Sequence, residues 1–294
     1  MQKIDKIVFG DNQFFGINHM SQEKAQQLTE KFHDINNIYK VYNLVYDNGI
    51  KAFFLNSNDR AIEICNHFKD NNKKFPDISF YVSIPYPYKY ANMVAEKGIV
   101  SSMNDILFKN NTIGGAVGMI AKGSMSVISK DAIKLMQILI DLEMKMFSGL
   151  NVKVIFLQNI ITDLILGYNI KEVFEEYYNY VKKKYNSIPG LITQNLPYTL
   201  NKMKEWGIKD MVICSSFNKI GYLMSPDINS YLDVIKSNNK NDYQLMAMST
   251  LASGAIKPDE AYQFLENKNI QSIVFGASSK NHIEDTKQLI EKYI

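Results

Sequence analysis

A (β/α)8 TIM barrel with a helical insertion after its third strand is the α/β fold class that this 294-residue chain predicts, on three observations. Eight short runs are continuously apolar, at 6–9, 52–55, 79–83, 152–157, 190–193, 211–214, 244–248 and 272–275. Runs that are apolar throughout, rather than alternating, mark parallel strands buried on both faces. Helix-length amphipathic stretches separate most neighbouring runs, and parallel strands need such a crossover. At 46% hydrophobic residues the chain can bury a large core, and α/β barrels commonly use this length as one domain.

Helix signals support the same order. Ser225-Pro226-Asp227 reads as an N-cap, a proline at the first helical position and an acid in the first turn. Pro197 and Pro258 read as first-position prolines, and Gly49, Gly98 and Gly207 fall where helices end and the chain turns into a strand. The rhythm breaks between the third and fourth strands, from Ile84 to Asn151. This insertion, at approximately 85–150, carries three helical patterns, near 88–97, 100–108 and 130–147, and a glycine-rich run, Thr112-Ile-Gly-Gly-Ala-Val-Gly118. The run lacks the Lys-Ser/Thr ending of a P-loop and reads as a packing or hinge loop, with a ligand-covering loop as the alternative. With no internal repeat, low-complexity tract or linker, residues 1–294 read as a single domain.

The net charge is +3 with both signs well mixed, so neither nucleic acid nor an acidic membrane surface is expected as a partner. Lys73-Lys74 and Lys182-Lys183-Lys184 read as solvated surface. Two cysteines, Cys65 and Cys214, do not make a disulfide framework in so large a domain. Residues 1–6 carry no apolar signal region, and no run approaches the ~18 apolar residues that span a bilayer. A reduced, cytoplasmic protein with a small-molecule ligand is the expectation.

In such a barrel the catalytic groups sit at the C-terminal ends of the strands. Asp11 and His19 share the first loop and are the acid/base candidates. Amides and hydroxyls recur round the rim, which suits a polyol or sugar-like ligand. Asn12, Gln13, Asn56, Gln158, Asn195 and Lys219 are the substrate-binding candidates. The last two loops, with Ser249, Ser253, Gly254, Gly276, Ser278, Ser279 and Lys280, are small and hydroxyl-rich and lead into helices. Such loops hold phosphate in barrels, because free N–H groups and a helix N-terminus converge there. The ligand is therefore expected to be anionic. No histidine, cysteine or carboxylate cluster has metal-ligand spacing, and no Gly-x-Ser-x-Gly follows a strand, so neither a metal nor a serine nucleophile is expected.

The order of segments resembles the aldo/keto reductase family. Gly10 and Gly16 around Asp11-Asn-Gln-Phe-Phe15 are similar to its opening strand and glycine turn, and Asp47-Asn-Gly-Ile-Lys-Ala-Phe-Phe54 to its second-strand entry. Asn195 falls where the family often has a Ser-Asn pair. Met248-Ser-Thr-Leu-Ala-Ser-Gly254 and Phe275-Gly-Ala-Ser-Ser279 resemble its last two strand loops, and this C-terminal part matches most closely. The resemblance implies that these two loops hold NADP. It does not extend to the family's catalytic tetrad. Asn56 stands at the aspartate position, no tyrosine follows in that loop, Ser83 stands for the lysine and Gln158 for the histidine. Reduction by that tetrad is therefore not expected. Three functions stay open: an enzyme acting on a small polar, phosphorylated, sugar-phosphate-like metabolite; a divergent NADP-dependent oxidoreductase; and a non-catalytic small-molecule-binding barrel.

Overall fold

The computed structural model describes residues 2–16, 22–86 and 130–294. His19, Tyr88, Gly98, the predicted helices near 88–97 and 100–108 and the glycine-rich run at 112–118 lie outside the described residues. Eight parallel strands close into a barrel in sequence order, confirming the expected fold. They are β1 (Ile7–Phe9), β2 (Ala52–Asn56), β3 (Ser79–Ile84), β4 (Val152–Leu157), β5 (Ile188–Thr193), β6 (Met211–Ser216), β7 (Tyr243–Met248) and β8 (Ser272–Phe275). The described helices outside them are α1 (Gln22–Lys31), α2 (Ile35–Asp47), α3 (Ala61–Asp70), α4 (Lys130–Met144), α5 (Asn159–Gly167), α6 (Lys171–Tyr180), α7 (Leu196–Trp206), α8 (Ile228–Lys236), α9 (Pro258–Leu265) and α10 (Lys280–Tyr293). The expected helix at 130–147 is α4 followed by a short 3-10 turn, Lys145–Phe147.

Two helix starts differ from expectation. Asp227, not Ser225, caps α8: it is extended, and its carboxylate accepts the Ser230 N–H at 3.0 Å. An aspartate with both oxygens free to accept, here also from the Ser230 hydroxyl, takes the capping position one residue past the proline. Pro197 sits at the second rather than the first position of α7, because Asn195 supplies the cap. Pro258 opens α9 as expected, and Gly49 and Gly207 end helices at φ +78° and +71°.

Side chains alternate across each strand. One set, including Phe9, Phe53, Leu55, Phe80, Val82 and Ile213, packs outward under the helices. The other fills the barrel: Val8, Ala52, Phe54, Tyr81, Val154, Phe156, Ile192, Val212, Cys214 and Met246. Phe54 and Phe156 stack there with ring centroids 5.3 Å apart. Gly190 makes that stack possible, since a Cβ on it would lie 2.4 Å from the Phe156 ring.

The N-terminal end of the barrel is plugged by polar groups. Lys153 donates to the Asp5 carboxylate at 2.9 Å, as do the Tyr81 hydroxyl at 2.7 Å and the Ser79 hydroxyl at 3.0 Å. Burial alone would raise the Asp5 carboxyl, but these bonds and the Lys153 charge hold it below its ordinary value. A depressed carboxylate adds stability that is present above its unfolded pKa and is lost as pH falls through the folded one. Lys153→Met is therefore expected to remove about 1 kcal/mol, the site being partly open to water. Acid unfolding followed by circular dichroism should show its midpoint at higher pH than in the parent chain. An unchanged midpoint would show that the plug contributes nothing to acid stability.

Candidate functional site

At the C-terminal end of the barrel, neighbouring strands are joined to one another by individual bonds. Gly10 N–H donates to Phe275 O, Ser57 N–H to Ser83 O, Gln158 N–H to Ile84 O and Phe217 N–H to Met248 O, at 2.8–3.2 Å. The Ser215 hydroxyl donates to Thr193 O at 2.7 Å and joins β5 to β6. Carboxylates join two further pairs. Asp163, on α5, accepts the Gln194 N–H at 3.0 Å and the Thr193 hydroxyl at 2.5 Å. Asp11, just past β1, accepts the Asn56 N–H at 2.8 Å. Among the described residues, β7 and β8 have no such tie. Their pairing ends at Ala247↔Ile273, and the last two residues of β8 pair with β1 alone.

Asp11 is the one acid/base candidate that the described residues place. It is 1% exposed. Its other oxygen accepts the Asn56 side-chain amide at 2.6 Å, and that amide also lies 3.4 Å from the Asn12 Oδ1. Both partners are neutral. Burial pushes the Asp11 carboxyl up to about 7, against the opposing effect of the Asn56 bonds. A carboxyl with that pKa is poised to give or take a proton near neutral pH. Asn56, Ser83 and Gln158 are adjacent around the rim, beside Asp11.

The other sequence candidates fall into two groups. Gln13 is buried, its amide donates to Gly10 O at 2.8 Å, and it lies over Gly276, where a Cβ would meet its Oε1 at 2.3 Å. A side chain on Gly276 would force the Gln13 amide to shift. Gln158 and Asn195 use their side-chain oxygens to cap α5 and α7. Lys219 is not brought into the mouth: it pairs with Glu260 at 3.2 Å on the surface. Lys280 is also exposed and pairs with Glu284 along α10.

In the β7 loop, Ser249, Ala252, Ser253 and Gly254 all have positive φ, from 46° to 94°. A Cβ on Gly254 would meet nothing within 4 Å, so this backbone is open on that side. The Ser253 hydroxyl lies 3.4 Å from the Tyr222 hydroxyl. Ser279 caps α10 through the His282 N–H at 3.4 Å. Lys31, at the end of α1, donates to Ser278 O at 2.9 Å. Sequence reasoning passed over Lys31 and Tyr222 as site members; a contact between residues 247 positions apart leaves no local pattern. No group of metal-ligating side chains occurs among the described residues, and no helix among them is long and apolar enough to cross a membrane.

No protein-family model and no curated protein matches the chain in sequence. Solved structures do match in three dimensions. A protein of Pseudomonas aeruginosa provisionally classed as an aldo-keto reductase aligns with a TM-score of 0.61 and 11% identity, over 99% of this chain and 91% of that one. The fold is that of the aldo-keto reductases. The holo form of the aldo-keto reductase AKR11C1 from Bacillus halodurans aligns with a TM-score of 0.54 and 10% identity, over 97% and 86%. A Bombyx mori aldo-keto reductase in complex with NADP aligns at 0.50 and 8% identity, over 97% and 84%. The likeness spans the barrel end to end, while the identities show shared architecture and leave the chemistry to the site.

Proposed function

We propose that the chain is an NADP-dependent oxidoreductase of divergent chemistry, in which Asp11 moves the proton for a small polar substrate. The observation that carries this reading is the Asp11 carboxyl: buried at the barrel mouth, bonded to the neutral donors of Asn56, and raised to about 7. On this reading Asp11, from β1, takes the proton-donating part for which the resemblance finds no tyrosine after β2. The nucleotide reading is supported by the fold shared with NADP-binding barrels and by the β7 and β8 loops. Ser249, Ser253 and Gly254 would meet a pyrophosphate with left-handed backbone, and Ser278, Ser279 and the start of α10 would meet it with free N–H groups. Lys31 and Lys280 stand beside the β8 loop to balance its charge. A bound nicotinamide would supply the hydride; the chain's own part is to orient the substrate and exchange a proton at the Asp11 carboxyl.

The expectation of a phosphorylated substrate draws on the same two loops. The two readings part on one measurement, quenching or enhancement of NADPH fluorescence on titration with the protein. Saturable NADPH binding that 20 mM inorganic phosphate does not abolish, on the order of many times a nucleotide Kd, is the expected result. Absence of binding would remove the nucleotide reading. Common unsubstituted aldehydes are expected not to be reduced, because the resemblance finds no tyrosine after β2 and places Ser83 at the lysine position. Robust reduction of any of them, read as loss of NADPH absorbance, would show that another donor acts.

A further inference from the structure

Three buried polar atoms at the ends of β2 and β3 have no hydrogen-bond partner among the described residues: the Ser57 hydroxyl, the Asn58 side-chain amide nitrogen and the Ser83 hydroxyl. Ser57 and Ser83 are fully buried and Asn58 is 5% exposed. They belong to one stretch of rim. Asn56 and Ser83 are register partners, and Ser57 N–H donates to Ser83 O at 3.2 Å. Ser83 follows Tyr81 by two residues in the same strand, so it faces the barrel interior as Tyr81 does. The Asn58 oxygen accepts the N–H groups of Arg60 and Ala61 at 3.0 and 3.1 Å, which fixes its nitrogen as the unused end.

Burying donors without partners is unfavourable, and such groups in a folded protein call for an explanation. Here three of them lie in the rim sector of Asn56, which bonds the Asp11 carboxyl that the functional reading places at the chemistry. Among the described residues Asp11 is the charged group bonded into this sector, and the neighbouring Asp59 is exposed. Arg60, the cation nearest in sequence, is turned away and donates to the carbonyls of Phe32 and His33 at 2.6 and 3.2 Å. Two hydroxyls that can each donate or accept, with one amide donor, complement a group that itself carries hydroxyl or carbonyl oxygens. They offer no positive charge to offset a carboxylate or phosphate, whose burial unpaired is strongly unfavourable.

We infer that Ser57, Asn58 and Ser83 form a specificity subsite for the uncharged, hydroxyl- or carbonyl-bearing end of the substrate, and that it excludes an anionic group there. This rests on the reading of the barrel mouth as the active site, with any phosphate confined to the β7 and β8 loops. It assigns Ser83 a recognition role at a position where a cation would have served catalysis.

Matched pairs test it: glycerol against sn-glycerol 3-phosphate, and D-ribose against D-ribose 5-phosphate, by saturation-transfer NMR and calorimetry on the full chain. The expected result is binding of at least one neutral member in preference to its phosphate. Ser83→Ala should weaken that binding by about three- to tenfold, the equivalent of one neutral hydrogen bond. Its thermal midpoint without ligand should be unchanged or higher, since the substitution removes a hydroxyl that has no partner among the described residues. Ser57→Ala is the second variant should Ser83→Ala not fold, and it should behave the same way. Equal or tighter binding of the phosphates, retained affinity in both variants, or no polyol binding by a chain that binds NADPH would each overturn the subsite; the last outcome would mean that ordered water alone satisfies these groups. Polyol binding by a chain that does not bind NADPH would leave the subsite standing and remove only the nucleotide reading.

Discussion

Replacing Asp11 by asparagine is expected to lower NADP-linked turnover by ~10²–10⁴, the usual contribution of a positioned acid or base. The substitution keeps size and shape but removes the exchangeable proton. It also turns one amide nitrogen toward a donor of Asn56, since both carboxyl oxygens accept there. That mismatch is expected to reduce stability by about 1–3 kcal/mol. Rate and melting temperature together separate the two roles: a purely structural Asp11 would give the stability loss with a turnover change of less than about tenfold at a temperature where the variant is folded. The titration is measurable before any substrate is known. Labelled side-chain carboxyl NMR should place the Asp11 midpoint near 7, where burial has pushed it. A midpoint near the ordinary 3.8 would withdraw the proton-transfer role. The sign for stability follows from the same shift. The folded pKa is raised, so the contribution of Asp11 is fully present below the unfolded value and is lost as pH rises through the folded one. Between 3.8 and about 7 the folded chain is expected to lose stability with rising pH, on the order of 4 kcal/mol for this group alone. Asp11→Asn should flatten that slope.

Phe156→Ala is expected to produce the largest loss of stability among single changes inside the barrel, about 3–5 kcal/mol. Phe156 is fully buried, stacks on Phe54 and covers Gly190. Its removal leaves a cavity that eight bonded strands are poorly able to close. Gly190→Ala is expected to cost about 1–3 kcal/mol by overpacking against the same ring. The two changes should not add: with Phe156 gone the new methyl enters free space, so the double variant should be no less stable than Phe156→Ala alone. Denaturant unfolding of the four chains measures this, and simple additivity would show that the Gly190 position does not depend on the Phe156 ring.

The barrel was legible in the sequence because its strands carry one plain signal, a continuous apolar run. Those at 152–157 and 272–275 match β4 and β8 residue for residue. The strand ends were less legible. Pro189 and Ile188 extend β5 before the expected start, and Ser215 and Ser216 extend β6 past its expected end, because pairing with neighbours overrides local preference. The identity of the rim residues could be read from their position after each strand, but their state could not. Asp11 owes its raised pKa to burial by elements distant in sequence, and the partnerless condition of Ser83 is a property of its surroundings. Lys219 shows the converse: its place after β6 suggested the mouth, and its long side chain instead reaches Glu260 on the surface.

The missing tie between β7 and β8 bears on how the barrel moves. Elsewhere round the rim a strand end can shift only by breaking a bond to its neighbour. The ends of β7 and β8 separate without breaking any, so thermal breathing of the rim concentrates along that one slit, and amides there exchange with solvent ahead of those on the tied strand ends. Among the described strand ends one edge is left untied in an otherwise bonded ring, so the barrel has a single seam rather than uniform stiffness.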